Sequence, residues 1–129
     1  MNSYAFEDND VRRSVNQLGG IDKFLNKLSN TMAKNLPQQL DKDTRFVSVL
    51  SNGSTISFLH MITNVKSKKD ILDKDFISTF IKFQTNKICT SSVSKVLVNE
   101  FDATYHYQYV SSNGDEIFVF DVKKKNCVK

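Results

Sequence analysis

The sequence is poor in the residues from which most metal centres and many active sites are built. Its 129 residues include no tryptophan, two histidines, two cysteines, one proline and four glycines. No apolar run approaches the 18 residues of a transmembrane helix. The cysteines and histidines lack the short ligand spacing of a zinc site, and no phosphate-binding loop or dinucleotide-binding turn is present. We therefore expect no transmembrane segment, no bound metal and no cofactor.

The length and charge of the chain indicate how many domains it forms and which kinds of partner it binds. A chain of this size forms one domain, or one domain with a short arm. There are 18 basic and 14 acidic residues, a formal net charge of +4. Nucleic-acid-binding proteins concentrate Lys and Arg on one face, whereas here they are spread along the chain with small clusters at 66–69 and 123–125. This distribution is typical of solvated surface lysines, and we expect no nucleic-acid partner.

Residues 1–18 are polar and predict an N-terminal arm that is either mobile or a short helix. The apolar spacing in this arm allows a helix capped by Asp8 or Asp10. The Gly19-Gly20 pair would end it. Residues 19–129 are then expected to form a single α+β domain.

Three later segments have the apolar periodicity of amphipathic helices. The first runs from Ile21 to Leu36 and is ended by Pro37. A charged connector, Lys66–Asp70, leads to the second, from about Asp73 to Lys87. A short third helix follows residues 90–92, which offer an N-cap.

Two Asn-Gly pairs predict two β-hairpins, because this dipeptide favours the tight turns that join antiparallel strands. Strands 44–51 and 55–65 flank Asn52-Gly53, and strands 103–110 and 116–122 flank Asn113-Gly114. The expected fold is therefore α+β, with a four-stranded antiparallel sheet made of the two hairpins and packed on one face by two or three helices.

A two-residue turn at each Asn-Gly pair also predicts the strand registers. In the first hairpin it places Val49 opposite Ile56, Val47 opposite Phe58 and Arg45 opposite His60. The other face of this hairpin is more apolar than a solvent face requires, so we consider it a partner-binding surface; it carries Phe46, Leu50, Leu59 and Met61.

In the second hairpin the same rule places three tyrosines on one face, opposite three apolar residues. The pairs are Tyr105–Val122, Tyr107–Phe120 and Tyr109–Phe118. The other face pairs His106 with Asp121, Gln108 with Val119 and Val110 with Ile117. A tyrosine row can stack nucleic-acid bases, but its period of two is more typical of core packing under a helix.

Three groups were weighed as catalytic candidates, and each has a simpler structural interpretation. His106 opposite Asp121 suggests an acid–base pair, but no nucleophile is expected within reach. His60 opposite Arg45 is more typical of a satisfied or solvent-facing histidine. Cys89 precedes a helix N-terminus, which would lower the pKa of its thiol, but no histidine is positioned as its base. We therefore predict no catalytic residues and no enzyme.

The two cysteines, Cys89 and Cys127, form either one disulfide or two free thiols. A bridge is favoured only in an oxidising compartment. The residues alone leave open a cytosolic protein or an exported one whose signal peptide is not part of this sequence.

The order of motifs from Cys89 onward carries a family resemblance. It consists of Cys89, a short helix ending near Glu100, a Tyr-x-Tyr-x-Tyr strand, a glycine turn, a Phe-x-Phe-Asp-Val strand and a final Cys127. Ahead of it, Asn35-Leu36-Pro37 and residues 40–44 lie at a helix-to-strand junction. This order resembles a group of small exported bacterial α/β proteins that includes Vibrio-type type II secretion pilotins and a quorum-sensing-regulated virulence factor.

The resemblance, which covers about residues 21–127, implies a Cys89–Cys127 disulfide and a periplasmic or secreted protein. The sequence has no lipoprotein cysteine near its start, and the resemblance therefore leaves undecided whether the protein carries a lipid anchor. It further implies a protein partner, such as an amphipathic helix of a secretion or envelope component. That helix would bind either on the second face of the first hairpin or in a groove between sheet and helices. The function expected is thus a non-enzymatic accessory module; the alternative is a secreted effector, immunity or inhibitor protein.

Overall fold

A computed structural model describes residues 8–66 and 74–127 of the chain. Two helices precede the first strand in this part of the chain, two helices lie between the third and fourth strands, and one short helix follows the last strand. The elements in chain order are α1 (Asp8–Leu18), α2 (Ile21–Ala33), β1 (Gln38–Gln39), β2 (Thr44–Asn52), β3 (Thr55–Ile62), α3 (Lys74–Thr90), α4 (Ser92–Phe101), β4 (Thr104–Ser111), β5 (Glu116–Val122) and α5 (Lys124–Cys127).

The predicted helix after Asp8 is present as α1, and it belongs to the hydrophobic core. Val11 and Val15 of α1 are buried with the side chains of α2, α4 and the sheet. The break between α1 and α2 falls at Gly19 and Gly20, whose φ angles of 98° and 127° lie in a region that residues with a Cβ rarely adopt.

Helices α2, α3 and α4 largely match their predicted ranges, whereas α5 was not predicted. Helix α2 ends at Ala33, three residues before Leu36. The backbone amides of residues 34–36 each donate a hydrogen bond to the carbonyl three residues earlier, which is the tighter 3₁₀ pattern common at helix ends. Helix α4 begins after Ser91, as predicted. Most of the predicted Lys66–Asp70 connector and the predicted helix start at Asp73 lie outside the described residues.

The sheet differs from the expected one in strand number and in direction. It has five strands in the order β1-β2-β3-β4-β5, and β3 pairs with β4 in parallel. The prediction of a four-stranded, purely antiparallel sheet was therefore wrong. The connection from β3 to β4 contains α3 and α4 and is long enough to carry the chain back to the other end of the sheet, which parallel pairing requires. The fifth strand, β1, has only two residues, so no alternation could reveal it.

The first hairpin is present, but its turn lies one residue later than predicted. Asn52 pairs with Thr55, so Gly53 and Ser54 form the turn. Gly53 has a φ of 60°, and a glycine at the first central position is the requirement of a type II′ turn. This moves the register by two residues, and Val49 therefore lies opposite Phe58 instead of Ile56.

A β-bulge between Phe46 and Ser48 then changes the face of the sheet on which the first side chains of β2 lie. An extra residue in one strand reverses the alternation beyond it. Phe46 therefore lies opposite His60, where Arg45 was expected. The prediction that Phe46 shares a face with Leu50, Leu59 and Met61 was wrong for this reason.

The second hairpin has the predicted pairs Tyr105–Val122, Tyr107–Phe120 and Tyr109–Phe118. The pairs His106–Asp121 and Gln108–Val119 are also confirmed. A bulge next to Tyr109 shifts the last pair, so that Val110 lies opposite Glu116 and not Ile117.

The helices cover one face of the sheet. Along β3, buried residues alternate with half-exposed ones, and β4 alternates in the same way over most of its length. We call the buried side the covered face; on β3 it carries Ile56, Phe58, His60 and Ile62. The other side is the open face, with Leu50, Leu59 and Met61. Leu50 is 70% exposed there.

The chain contains the disulfide that the resemblance implied. Cys89, near the end of α3, is joined to Cys127 at the end of α5, and their Cα atoms are 5.3 Å apart. The bridge attaches the segment that follows the last strand to the helix that covers the sheet.

Candidate functional site

An apolar groove of about 450 Å³ lies on the covered face, between α3 and the segment that joins β1 to β2. One wall is formed by α3, with Phe76, Phe80, Gln84 and Lys87. Leu40, Asp41 and Asp43 form the opposite wall, and the floor is the sheet itself. A volume of this size lies within the range of ordinary ligand sites.

The floor of the groove is part of a row of aromatic rings that crosses four strands. The strand registers place Phe46, His60, Tyr109 and Phe118 directly beside one another. Successive ring centroids are 4.8, 4.7 and 4.7 Å apart, and successive planes are within 12° of parallel. We call these four residues the aromatic row. A second row, Phe58, Tyr107 and Phe120, runs beside it at similar spacing.

His60 is the only polar side chain of the aromatic row apart from the hydroxyl of Tyr109. It is 6% exposed, and its Nδ1 atom has no hydrogen-bond partner. Burial lowers the pKa of His60 to about 4, because desolvation disfavours the charged imidazolium. His60 is therefore neutral at pH 7 and packs as an aromatic ring. The expectation that it is satisfied or faces solvent was wrong, because the shifted turn and the bulge in β2 together bring Phe46 over it in place of Arg45.

Helix α3 packs on the aromatic rows through Phe80. Its ring meets the ring of Tyr109 edge-on, with centroids 5.4 Å apart, and meets Phe118 in the same way at 6.0 Å. One turn further on, Gln84 donates a hydrogen bond to the hydroxyl of Tyr107 over 3.3 Å. Burial also raises the pKa of the Tyr107 and Tyr109 hydroxyls, so both stay protonated.

Helix α3 exposes two phenylalanines, one of which lines the groove. Phe76 is 56% exposed and Phe83 is 65% exposed. Phe76 lines the groove. Residues seven apart on a helix lie on the same side, so Phe83 extends the same side of α3 just outside the residues that line the groove. Large exposed aromatic side chains arranged in one patch are a common mark of a binding surface.

The two walls of the groove carry opposite charges. Asp41 and Asp43 lie on the wall before β2, and Lys87 lies on α3. The carboxylate of Asp41 accepts a hydrogen bond from the backbone amide of Asp43 over 2.8 Å, which holds this wall in a tight turn. The groove is thus apolar at its floor, negative along one edge and positive near one end of the other.

The groups weighed as catalytic lie apart from one another and are engaged in other contacts. His106 and Asp121 pair on the open face, with Nδ1 and Oδ1 2.5 Å apart. Cys89 is held in the disulfide. His60 lies beneath α3 on the covered face. Within residues 8–66 and 74–127, no three His, Cys, Asp or Glu side chains are grouped so as to hold a metal ion.

The sequence pattern identified some of these residues and missed others. The tyrosine strand and its pairing were recognised, and a groove between sheet and helices was weighed as a binding surface. The exposure of Phe76 was missed, because both Phe76 and Phe80 fit the apolar stripe of α3. The seven-residue spacing of Phe76 and Phe83, which places them on the same side of α3, is a signal that sequence analysis could have used.

Among the described residues, no helix combines the length and apolar character needed to cross a membrane. No protein-family model and no curated protein matches the chain.

The fold, in contrast, is shared with solved structures of bacterial proteins. One is a Pseudomonas aeruginosa protein described provisionally as secreted; it has 10% sequence identity and a TM-score of 0.70, and the match covers 88% of this chain and 96% of that one. The pilotin EpsS of the Vibrio vulnificus type 2 secretion system has 12% identity and a TM-score of 0.68, over 92% and 98%. The Vibrio cholerae type II secretion pilotin AspS has 12% identity and a TM-score of 0.62, over 90% and 97%. The resemblance to pilotins and to a small secreted protein is thus confirmed for the fold.

Proposed function

We propose that this protein is a non-enzymatic, exported binding module that holds an amphipathic helix of a secretion or envelope component in the groove beside α3. The observation that carries the proposal is the groove itself, in which the exposed Phe76 stands on one wall beside a floor of stacked aromatic rings. Phe83, which is also exposed, follows seven residues later on the same side of α3. An aromatic surface of this kind gains free energy when an apolar partner covers it.

The dimensions of the groove suit a helical partner. The wall formed by α3 runs from Phe76 to Lys87, a rise of about 16 Å at 1.5 Å per residue. A helix of three turns has the same length and presents apolar side chains at i, i+4, i+7 and i+11. Asp41 and Asp43 on one wall favour basic residues on the adjacent side of that helix, and Lys87 favours an acidic residue near one end.

Two observations support an exported protein of a secretion or envelope system. The Cys89–Cys127 disulfide is stable in the oxidising compartments outside the cytosol. The fold is that of the pilotins EpsS and AspS and of the Pseudomonas protein described as secreted. We accordingly place the protein in the periplasm or the secreted fraction.

The non-enzymatic part of the proposal is supported by the state of the groups that catalysis would need. His60 is neutral and stacked between two rings, Cys89 is oxidised, and His106 is paired with Asp121 on the open face. A general base must reach the proton that it removes, and none of these groups lies beside a second reactive side chain in the groove.

A binding assay with defined peptides tests the groove. The probe is a fluorescent 18-residue peptide with leucine at i, i+4, i+7 and i+11, and a peptide of the same composition in scrambled order is the negative control. We expect micromolar binding of the striped peptide only. The double variant Phe76→Asp/Phe83→Asp is expected to raise the Kd at least tenfold, because it places charge in an apolar contact.

Two further variants separate the groove from the open face, which we retain as the second proposed surface. Leu50→Asp makes the same change at an exposed apolar residue outside the groove and is expected to leave the Kd unchanged. Leu59→Asp/Met61→Asp disrupts the remaining apolar part of the open face. Loss of binding in this variant, with retention in the Phe76/Phe83 variant, would move the site to the open face. Circular dichroism confirms that each variant is folded.

Identifying the natural partner distinguishes a secretion or envelope accessory module from an effector, immunity or inhibitor protein. Affinity capture from envelope fractions with the wild-type chain and the Phe76→Asp/Phe83→Asp variant as bait is the direct test. A secretion or envelope protein captured by the wild type alone supports the proposal. A toxin or a hydrolase captured in the same way would instead indicate an inhibitor or immunity protein.

A further inference from the structure

Strand β5 forms one edge of the sheet along its whole length. Its seven residues, Glu116–Val122, pair with β4 on one side, and within the described residues no strand pairs with the other side. An unpaired edge presents backbone donors and acceptors that can pair with another strand. At the opposite edge, β1 covers part of β2.

Strand β5 has only part of the usual protection of an edge strand, namely the acidic residues Glu116 and Asp121. It contains no proline and no lysine, and its own bulge lies at its first residues, next to Tyr109 and Val110 of β4. Its middle residue, Val119, is an apolar side chain that is 42% exposed on the open face. On the covered face, Phe118 and Phe120 are only partly buried, although they belong to the aromatic rows.

We propose that β5 pairs in antiparallel register with β5 of a second copy of this chain, about a two-fold axis at Val119. Val119 is the centre of Glu116–Val122, so this register pairs all seven residues. It joins two five-stranded sheets edge to edge and keeps the helices of both copies on the same side. A symmetric dimer of this kind uses the same surface twice and closes on itself.

The central side chains of β5 are complementary to themselves in this register, whereas Asp121 lies opposite Ile117 and Glu116 opposite Val122. Phe118 lies opposite Phe120 of the second copy, and Phe120 lies opposite its Phe118. Both aromatic rows therefore continue from one sheet into the other without a break. Aromatic pairs directly opposite each other stabilise antiparallel strands, and the exposed Val119 side chains cover each other on the open face.

The charges at the two ends of β5 favour the antiparallel arrangement. The strand begins with Glu116 and is followed by Lys123, Lys124 and Lys125. Antiparallel pairing about Val119 brings the acidic start of each strand beside the basic end of the other. Parallel pairing would put acidic residues beside acidic residues and lysines beside lysines, which is unfavourable.

The position of α3 sets how far apart its two copies would lie. Phe80 contacts Tyr109 of β4 and Phe118 of β5, so α3 lies over these two strands. With strands about 4.8 Å apart, the two copies of α3 would lie about 10 Å apart across the axis. This is close to the usual distance between packed helices, and the half-exposed Ile77 and Ile81 lie on the side of α3 away from the groove.

Size-exclusion chromatography with light scattering, over 1 to 500 µM protein, tests the proposal. We expect a mass that rises with concentration from 14.8 kDa toward twice that value, with a micromolar Kd. Val119→Lys places two lysines against each other at the axis and is expected to weaken the dimer at least tenfold. Leu50→Lys makes the same kind of change on the open face, away from the edge, and is expected to leave the Kd unchanged.

A charge-swap cycle tests the register. Lys123 lies directly opposite Asp115 of the second copy in this register, so Asp115→Lys brings like charges together and is expected to weaken the dimer at low salt. Adding Lys123→Glu in the same chain restores opposite charges and should recover the dimer. A monomer throughout the concentration range would overturn the proposal. So would a dimer that Val119→Lys leaves intact, or one that Leu50→Lys weakens equally, because the contact would then lie elsewhere.

Discussion

Replacing His60 with phenylalanine is expected to make the stability of this protein less sensitive to acid. His60 is 6% exposed, lies between the rings of Phe46 and Tyr109, and has a pKa of about 4, below its ordinary value of 6.5. In the unfolded chain the imidazole is hydrated and regains the ordinary pKa. Between pH 6.5 and pH 4 the unfolded chain therefore binds a proton that the folded chain does not.

The size of the effect follows from linkage between proton binding and folding. The stability that neutral His60 confers is complete above pH 6.5 and is lost as the pH falls toward 4. Each pH unit in this window costs about 1.4 kcal/mol, so that the total loss is about 3 kcal/mol by pH 4. In a domain with a typical free energy of unfolding of about 5–15 kcal/mol, this is a large share.

Urea titrations followed by circular dichroism at several pH values from 7 to 4 measure the effect. The wild type and His60→Phe differ in one titrating group, so the difference between their curves isolates His60. At pH 7 we expect the variant to be at least as stable, because phenylalanine fits the aromatic row and removes the unpaired Nδ1. Parallel curves for the two proteins across this range would refute the reasoning.

Two further predictions concern the disulfide and the N-terminal helix. Reduction of the Cys89–Cys127 bridge, which spans 38 residues, is expected to lower the free energy of unfolding by about 4 kcal/mol. Urea titrations with and without reductant measure this, and Cys89→Ser/Cys127→Ser, the control, should not respond to reductant; an unchanged wild-type midpoint would contradict the prediction. Val15→Ala in α1 is expected to cost about 2 kcal/mol because Val15 is fully buried, whereas the exposed Leu50→Ala should cost less than about 0.5 kcal/mol. Equal losses in the same assay would show that α1 adds nothing to the core.

The strand pairing that local chemistry controls was predicted well. The tyrosine strand and β5 have the expected register over Tyr105–Tyr109, because strict alternation places one face in the core and a slip by one residue would reverse it. The first hairpin was harder to predict, because both Asn52-Gly53 and Gly53-Ser54 can form a two-residue turn. The choice between them moves the register by two residues without changing which residues of β3 are buried.

The groove was the least predictable feature of the molecule. Its floor depends on the bulge at residues 46–48, which brings Phe46 onto the covered face, and on the parallel pairing that brings Tyr109 beside His60. Neither is encoded in a local pattern. The exposed Phe76 and Phe83 likewise depend on where the second wall of the groove lies.

The sequence by itself determined helices α2 to α4, the four strands of the two hairpins, the α+β class and the face of the tyrosine strand that is buried. These follow from periodicity, turn residues and caps within short segments. Only the tertiary structure decided the direction of β4 against β3, the fifth strand and the aromatic row that crosses four strands. These features join residues far apart in the chain, and their geometry depends on how α3 and α4 return the chain across the sheet.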